Sequence, residues 1–279
     1  MIKRPVMARV PVLLAYPDRM GGAVGAVLGG EYEVDCFGEG LTIVDIGANV
    51  GSFSLWANLR WPRSTIHAYE PHPETFAMLT ANVAGLKNVV CHHAAVYPGD
   101  ARELPLFSRY AGDGEAGLVA YMDRTFASLP AEKTVMVPVV HPRELPRCDV
   151  LKVDVEGGEA AILLEAEVSD ISAIVLEYQN EENRRAIEAR LAADFVLERG
   201  DPWPWSQILP GSDYRQDLGG DSYGDLFFVN RRLTALGRVV RSGMETRSAD
   251  DGPGLRGLLG ALPGAARRAV RRRLARWGL

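Results

Sequence analysis

The stretch VDIGANVGSF, Val44 to Phe53, decides how the rest of the chain is read. It joins a short β-branched run, LTIVDI (41–46), to an amphipathic segment, Ser52 to Arg60, with Phe53, Trp56 and Leu59 at helical spacing. Between them, Asp45-x-Gly47-x-Asn49-x-Gly51 supplies glycines that let the chain turn sharply and let a ligand approach without a Cβ in the way. A strand, a glycine loop and a helix in that order form the context in which such a loop binds a nucleotide.

Working outward, the chain keeps alternating. STIHAYE (64–70) reads as a second strand. A helix follows from Pro73, with Phe76, Leu79 and Val83 on one face and Gly85 as its stop. Asn88–His92 is a third strand, and DVLKVDV (149–155) a fourth, followed by a helix through Ala161, Leu164 and Val168. SAIVLEY (172–178) is a fifth strand. Asn180 caps the next helix, with Glu181 and Glu182 favouring the dipole in its first turn. Phe195–Arg199 and Asp225–Asn230 complete the set. The alternation implies right-handed crossovers and a mostly parallel sheet covered on both faces, a doubly wound α/β domain. Two stretches interrupt it: 97–148, where PLFSR and TVMVPVV are expected to pair as a β-hairpin, and 200–224, dense in Gly, Pro, Asp and aromatic residues. Both leave the carboxyl edge of the sheet, where open α/β folds bind ligands.

The chemistry follows from a few polar residues. Glu70, 25 positions after Asp45 and at the end of the second strand, is placed to accept both hydroxyls of a ribose. A dinucleotide loop needs Gly-x-Gly-x-x-Gly to surround a pyrophosphate with amides, and Asn49 and Ser52 hold its second and third glycine positions. Asp45 adds a negative charge that opposes phosphate and suits a sulfonium or an amino group. The loop therefore favours S-adenosylmethionine over NAD, and no Gly-x-x-x-x-Gly-Lys loop occurs.

KVDVEGGE sets Asp154 and Glu156 on one face at a strand's end, with Glu159 one helical turn on. An alcohol must lose its proton as a methyl arrives, so a carboxylate here suits a general base. Asp154 is expected beside the cofactor's amino group or as an orienter, Glu156 as the candidate base, and Glu177, ending the fifth strand, as a second candidate. Two alternatives stand beside this: Glu156 and Glu159 as charges at a helix N-terminus, or Asp154, Glu156 and Glu177 around Mg²⁺. No metal is assigned, because carboxylate spacing does not define a hard-cation site. No Asn/Asp-Pro-Pro-aromatic motif for base amino groups occurs, which favours an oxygen acceptor.

VDIGANVGSF, HAYEPHPETF (67–76), DVLKVDVEGGEAAIL (149–163) and IVLEYQ (174–179) together resemble the FkbM family of S-adenosylmethionine-dependent methyltransferases, over about residues 30–230. The resemblance implies a seven-stranded class I, Rossmann-like methyltransferase sheet with its last strand (225–230) antiparallel. It also implies methyl transfer to a hydroxyl of a saccharide or secondary metabolite. By position, Asp45, Gly47, Asn49 and Gly51 would line the methionine end of the cofactor, Glu70 would hold the ribose, and His93-Ala94 would lie near the adenine. His93 departs from the family's usual Asn there, and HPREL (141–145) replaces its usual Thr-Leu-Asp. The rival readings are an NAD-dependent oxidoreductase and a non-catalytic S-adenosylmethionine-binding protein.

Composition sets the outer limits. The 279 residues carry 31 Lys+Arg and 36 Asp+Glu, a net −5, with 47% apolar residues, which excludes a disordered or disulfide-scaffold chain. Residues 231–279 hold 12 Arg against 3 acids (+9), leaving 19 Lys+Arg against 33 acids (−14) in 1–230. So acidic a body argues against a nucleic-acid partner. Cys36, Cys91 and Cys148 form no CxxC pair and read as small core residues in a reducing compartment. His67 is expected to be packed in its strand, and His92 and His93 to point to opposite faces. No leader peptide or membrane-spanning run of about 20 apolar residues is read, so the expected location is cytoplasmic.

The expected layout is a lead-in over 1–40 with room for a β-hairpin, the methyltransferase domain over 41–230, a linker over 231–254 and a basic amphipathic tail over 255–279. The tail aligns Ala266, Val270, Leu274 and Trp277 and suits either an anionic inner membrane face or a solvated, partner-docking role. Trp203, Trp205, Tyr214 and Tyr223 suit either a sugar-stacking wall or simple loop anchors.

Overall fold

The computed structural model describes residues 14–17, 21–33, 40–111, 113, 116–118, 120, 134–203 and 223–232. Helix α1 (Gly21–Leu28) precedes β1 (Thr42–Ile46), α2 (Ser52–Arg60), β2 (Thr65–Tyr69), α3 (Pro73–Val83) and β3 (Val89–His92). Then come β4 (Ala95–Val96), β5 (Glu103–Phe107), β6 (Gly117–Leu118) and β7 (Thr134–Val140). The chain continues through β8 (Val150–Val153), α4 (Glu159–Glu165), β9 (Ala173–Tyr178), α5 (Glu181–Leu191), β10 (Phe195–Trp203) and β11 (Tyr223–Asn230). The described part of 1–40 thus contains a helix and no strand.

The main sheet runs β10-β11-β9-β8-β1-β2-β3. Strands β1, β2, β3, β8 and β9 are parallel, while β11 is antiparallel to both β9 and β10. This is the class I order with a reversed last strand. The expected hairpin in 97–148 is also present: β5 and β7 pair antiparallel, and β4 and β6 extend them into a four-stranded insert.

Strand alternation divides the core in two. Val44, Ile46, Leu151, Val153, Ile174 and Leu176 pack on Ile162, Leu163, Ile187 and Leu191 of α4 and α5. On the opposite face Ile43, Val150 and Val175 meet Phe53, Trp56 and Ala57 of α2. Asp45 shares that second face by period-two alternation. Pro73 opens α3, and the His72 ring nitrogen accepts from the Thr75 amide at 3.4 Å. Asn180 caps α5 by accepting from the Asn183 amide at 2.8 Å.

Helix α4 differs from its expected phase. It stops at Glu165, its buried apolar side is Ile162 and Leu163, and Leu164 is 61% exposed. Val168 is buried but lies beyond the helix. Seven residues rich in Ala, Ile and Leu give too little polar contrast to fix a helical phase from sequence. Among the described residues, no helix is long and apolar enough to cross a membrane. Cys91 and Cys148 are half-buried free thiols. Cys36, Trp205, Tyr214 and the tail beyond 232 lie outside the described residues, as do the side chains of Trp203 and Tyr223.

Candidate active site

The sheet's carboxyl edge opens into a cavity of about 480 Å³. The glycine loop forms one side. Gly47 (φ 75°) and Gly51 (φ 90°) adopt left-handed conformations that L side chains rarely take, as does Asn49 (φ 48°). A Cβ on Gly47 would run into the Asp154 carbonyl oxygen, so the loop can cross the end of β8 only without a side chain there. A Cβ on Gly51 would meet Leu79 at 2.8 Å, which makes Gly51 a packing point for α2 against α3 rather than a cavity residue.

The loop's own amides are engaged within the protein. Gly47 and Ala48 donate to the Tyr69 carbonyl at 3.1 and 2.9 Å, and Gly51 to the Ala48 carbonyl at 2.9 Å. The Asn49 amide donates to Glu70 Oε2 at 3.0 Å, and the Val50 amide to Asn49 Oδ1 at 2.7 Å. A pyrophosphate would need such amides free. This geometry disfavours the dinucleotide reading and suits a ligand without phosphate.

Asp45 is not at the cavity, contrary to expectation. It is 0% exposed, accepts from Ser54 Oγ at 2.7 Å, and its Oδ1 faces the Lys152 ammonium at 3.4 Å with no hydrogen bond of its own. Burial pushes its carboxyl up, opposed by Lys152 and Ser54. Lys152, its register partner on β8, is 3% exposed and escaped the sequence reading. Its Nζ donates to the Gly47 carbonyl at 2.7 Å and lies 3.4 Å from Asp154 Oδ2. Burial opposes its charge, yet Asp154 and Asp45 hold the ammonium above the ordinary lysine value. A lone lysine inside an otherwise apolar strand was the available signal.

Glu70 does sit where expected, 6% exposed and lining the cavity. It accepts from the Asn49 amide and, at 2.8 Å, from the His72 amide. Burial raises its carboxyl to about 7. Gly47, Asn49 and Ala94 also line the cavity, whereas Gly51 and His93 do not. His93 stacks on Phe76 at 4.8 Å. His92 turns the other way, stacked on Tyr69 at 4.3 Å with its Nε2 3.1 Å from His67 Nδ1. His92 and His93 thus point to opposite sides, as expected, and His67 is half-buried in β2.

Asp154, Glu156 and Glu177 converge on the same cavity, with one carboxylate oxygen from each lying within 4.8 Å of the others. Glu156 is carried into the site by a left-handed turn (φ 62°). Burial, reinforced by Asp154 and Asp225, pushes Glu177 well up, and Gln179 Nε2 donates to its Oε1 at 2.7 Å. Glu159 behaves differently: fully buried, it accepts from the Val155 and Gly157 amides at 3.1 Å each, fixing the turn into α4. The helix-terminus alternative therefore fits Glu159, while Glu156 belongs to the cavity.

The wall from the segment after α1 was not expected. Tyr32 donates from its hydroxyl to Asp154 Oδ2 at 3.3 Å and packs edge-on against Phe53. Glu31, half-buried, is raised to about 7 by burial and then by Asp154. Asp113 of the insert lines the cavity too, and its carbonyl accepts from Asn49 Nδ2 at 3.2 Å.

Residues 45–201 match the methyltransferase FkbM domain, more than half of the chain. The chain belongs to the FkbM methyltransferase family. Its relatives include the 31-O-demethyl-FK506 methyltransferase FkbM of Streptomyces tacrolimicus, 28% identical over 159 residues, with 47% of this chain and 61% of that protein covered. Methyltransferase 1 of Beauveria bassiana is 30% identical over 151 residues, with the same shares of 47% and 61%. The chain thus spans about three fifths of the length of the curated relatives it matches. Among solved structures, the precorrin-6y C5,15-methyltransferase of Geobacter metallireducens is 14% identical, with a TM-score of 0.39 over 78% of this chain and 92% of that one. The FkbM domain takes S-adenosylmethionine as its cofactor, and the phosphate-free loop geometry fits it. The NAD reading is set aside.

Proposed function

We propose that this protein transfers a methyl group from S-adenosylmethionine to a hydroxyl oxygen of a saccharide or secondary metabolite. The observation that carries the reading is the convergence of Asp154, Glu156 and Glu177 on the cavity that Gly47, Asn49 and Glu70 also line. The bound cofactor supplies a reactive methyl donor, so the protein's task is to align the acceptor and take its proton.

Glu156 is the base: its carboxylate takes the hydroxyl proton as the new carbon–oxygen bond forms. Glu177, its carboxyl pushed well up by burial and then by Asp154 and Asp225, is the second candidate and orients the acceptor. Asp154, held by Tyr32 and Lys152, belongs to the cofactor side. The Streptomyces relative, a 31-O-demethyl-FK506 methyltransferase, supports oxygen as the target atom.

The test is to incubate purified protein with isotopically labelled S-adenosylmethionine and fractionated cell extract. Label should enter glycan or small-molecule pools as an alkali-stable ether and vanish in Glu156→Gln. Label found on nitrogen, or S-adenosylhomocysteine binding without transfer to any fraction, would overturn the reading.

A further inference from the structure

S-Adenosylmethionine ends in an amino acid, with an ammonium and a carboxylate on one carbon. A protein that binds this end must offer the carboxylate a donor. In many nucleotide loops successive backbone amides serve that need. Here the amides of residues 47 to 51 are all engaged elsewhere, by Tyr69, Glu70, Asn49 and Ala48.

Among the described residues lining the cavity, one side chain is cationic: Lys152. Glu31, Glu70, Glu156 and Glu177, which line the same cavity, are carboxyls and offer an entering carboxylate no positive charge. Lys152 stands at the junction of the glycine loop and Asp154. Its short hydrogen bond, 2.7 Å, goes to the Gly47 carbonyl, while Asp45, Asp154 and the Ile46 carbonyl all stand at 3.4 Å. An ammonium has three protons to give. The long contacts leave it able to turn one toward a closer acceptor.

We propose that Lys152 and Asp154 form the seat for the zwitterionic end of the cofactor, Lys152 taking its carboxylate and Asp154 its ammonium. The two side chains are a fixed pair of opposite charges, matched to a ligand end that is itself such a pair. Tyr32 completes the seat, its ring 5.6 Å from the Lys152 ammonium and its hydroxyl on Asp154. The seat works by recognition and does not touch the transferred methyl. It rests on the cofactor reading of the preceding subsections but not on the identity of the acceptor.

The experiment is calorimetric titration with three nucleosides, with no acceptor present. These are S-adenosylhomocysteine, its decarboxylated analogue S-adenosyl-3-thiopropylamine, and methylthioadenosine, which lacks the amino-acid end. The wild type should bind the first about 10- to 100-fold more tightly than the second, the range for one charge-assisted hydrogen bond. In Lys152→Met that preference should fall to within about 2-fold, while methylthioadenosine affinity stays within a similar margin.

Because Lys152→Met strands Asp45 without its cation, the same measurement is made in Asp45→Asn/Lys152→Met, which removes both buried charges. Asp154→Asn should weaken S-adenosylhomocysteine but leave the carboxylate preference standing. A preference that survives both Lys152 variants would place the carboxylate on the first turn of α2 and overturn the proposal. Equal losses for all three nucleosides would also overturn it, reducing Lys152 to a support for the loop. If the wild type binds none of them, the cofactor reading itself fails.

Discussion

Glu70→Gln tests the candidate ribose site and its electrostatics together. The wild-type carboxylate accepts the Asn49 and His72 amides, one on each oxygen. Glutamine has one oxygen to offer and turns an NH₂ donor toward the other amide, at a cost of about 1–3 kcal/mol. That cost should vary with pH, because burial raises the Glu70 carboxyl from 4.5 to about 7. A folded value above the unfolded one contributes stability that is full below pH 4.5 and is lost as pH rises through about 7. Applying linkage between those two values, the Glu70 contribution falls by about 2–3 kcal/mol from pH 5 to pH 8. Glutamine does not titrate, so the stability of the variant relative to the wild type should rise by about that much from pH 5 to pH 8. Urea unfolding of both proteins at pH 5 and pH 8 measures the double difference, in which Glu31 and Glu159 cancel. Parallel pH dependences, within about 0.5 kcal/mol, would refute the argument that Glu70 carries its burial cost in the folded state.

Gly47→Ala forces a methyl group against the Asp154 carbonyl at φ 75° and should cost at least about 3 kcal/mol, seen as lost soluble yield or a collapsed urea midpoint. Glu159→Gln should be neutral or stabilising at pH 8. Its retained oxygen can still serve both turn amides and the burial cost of the charge disappears, which offsets the loss of the 3.3 Å hydrogen bond that Oε2 accepts from Asn183 Nδ2. Glu159→Ala should instead lose about 2 kcal/mol or more by thermal melting. The corrected phase of α4 predicts that Leu163→Ala costs about 2–5 kcal/mol, while Leu164→Ala, at a 61% exposed position, stays within about 0.5. Tyr32→Phe keeps the buried ring but removes the donor to Asp154, and should destabilise by about 1 kcal/mol at neutral pH in chemical denaturation.

Much of the fold was legible because punctuation and periodicity agreed. Gly51 and the His72-Pro73 step mark the starts of α2 and α3, and the β-branched runs of β1, β8 and β9 have no competing helical pattern. The placement of Glu70, Asp154, Glu156 and Glu177 on the cavity was legible because each ends or follows a strand at the sheet's carboxyl edge. The site was misread where alternation was ignored. Asp45 shares a face with Ile43 and lies under α2, and His93 points away from the cavity toward Phe76. Lys152 was hidden because its partners, Asp45 and Asp154, come from two strands that only the folded register brings together. Glu31 and Tyr32 carry no motif, and their place in the cavity depends on a tertiary contact of the segment after α1.

The contact between Asn49 and Asp113 ties the cofactor loop to the four-stranded insert through a hydrogen bond. Arg109 clamps the Asp113 carboxylate at 2.6 and 3.0 Å, so the residue that accepts from Asn49 is itself held in place. An oversized acceptor that shoved the insert outward would pull on Asn49 and loosen the hold on the nucleoside. The molecule would then register guest size as the dwell time of its methyl donor, without any separate gate.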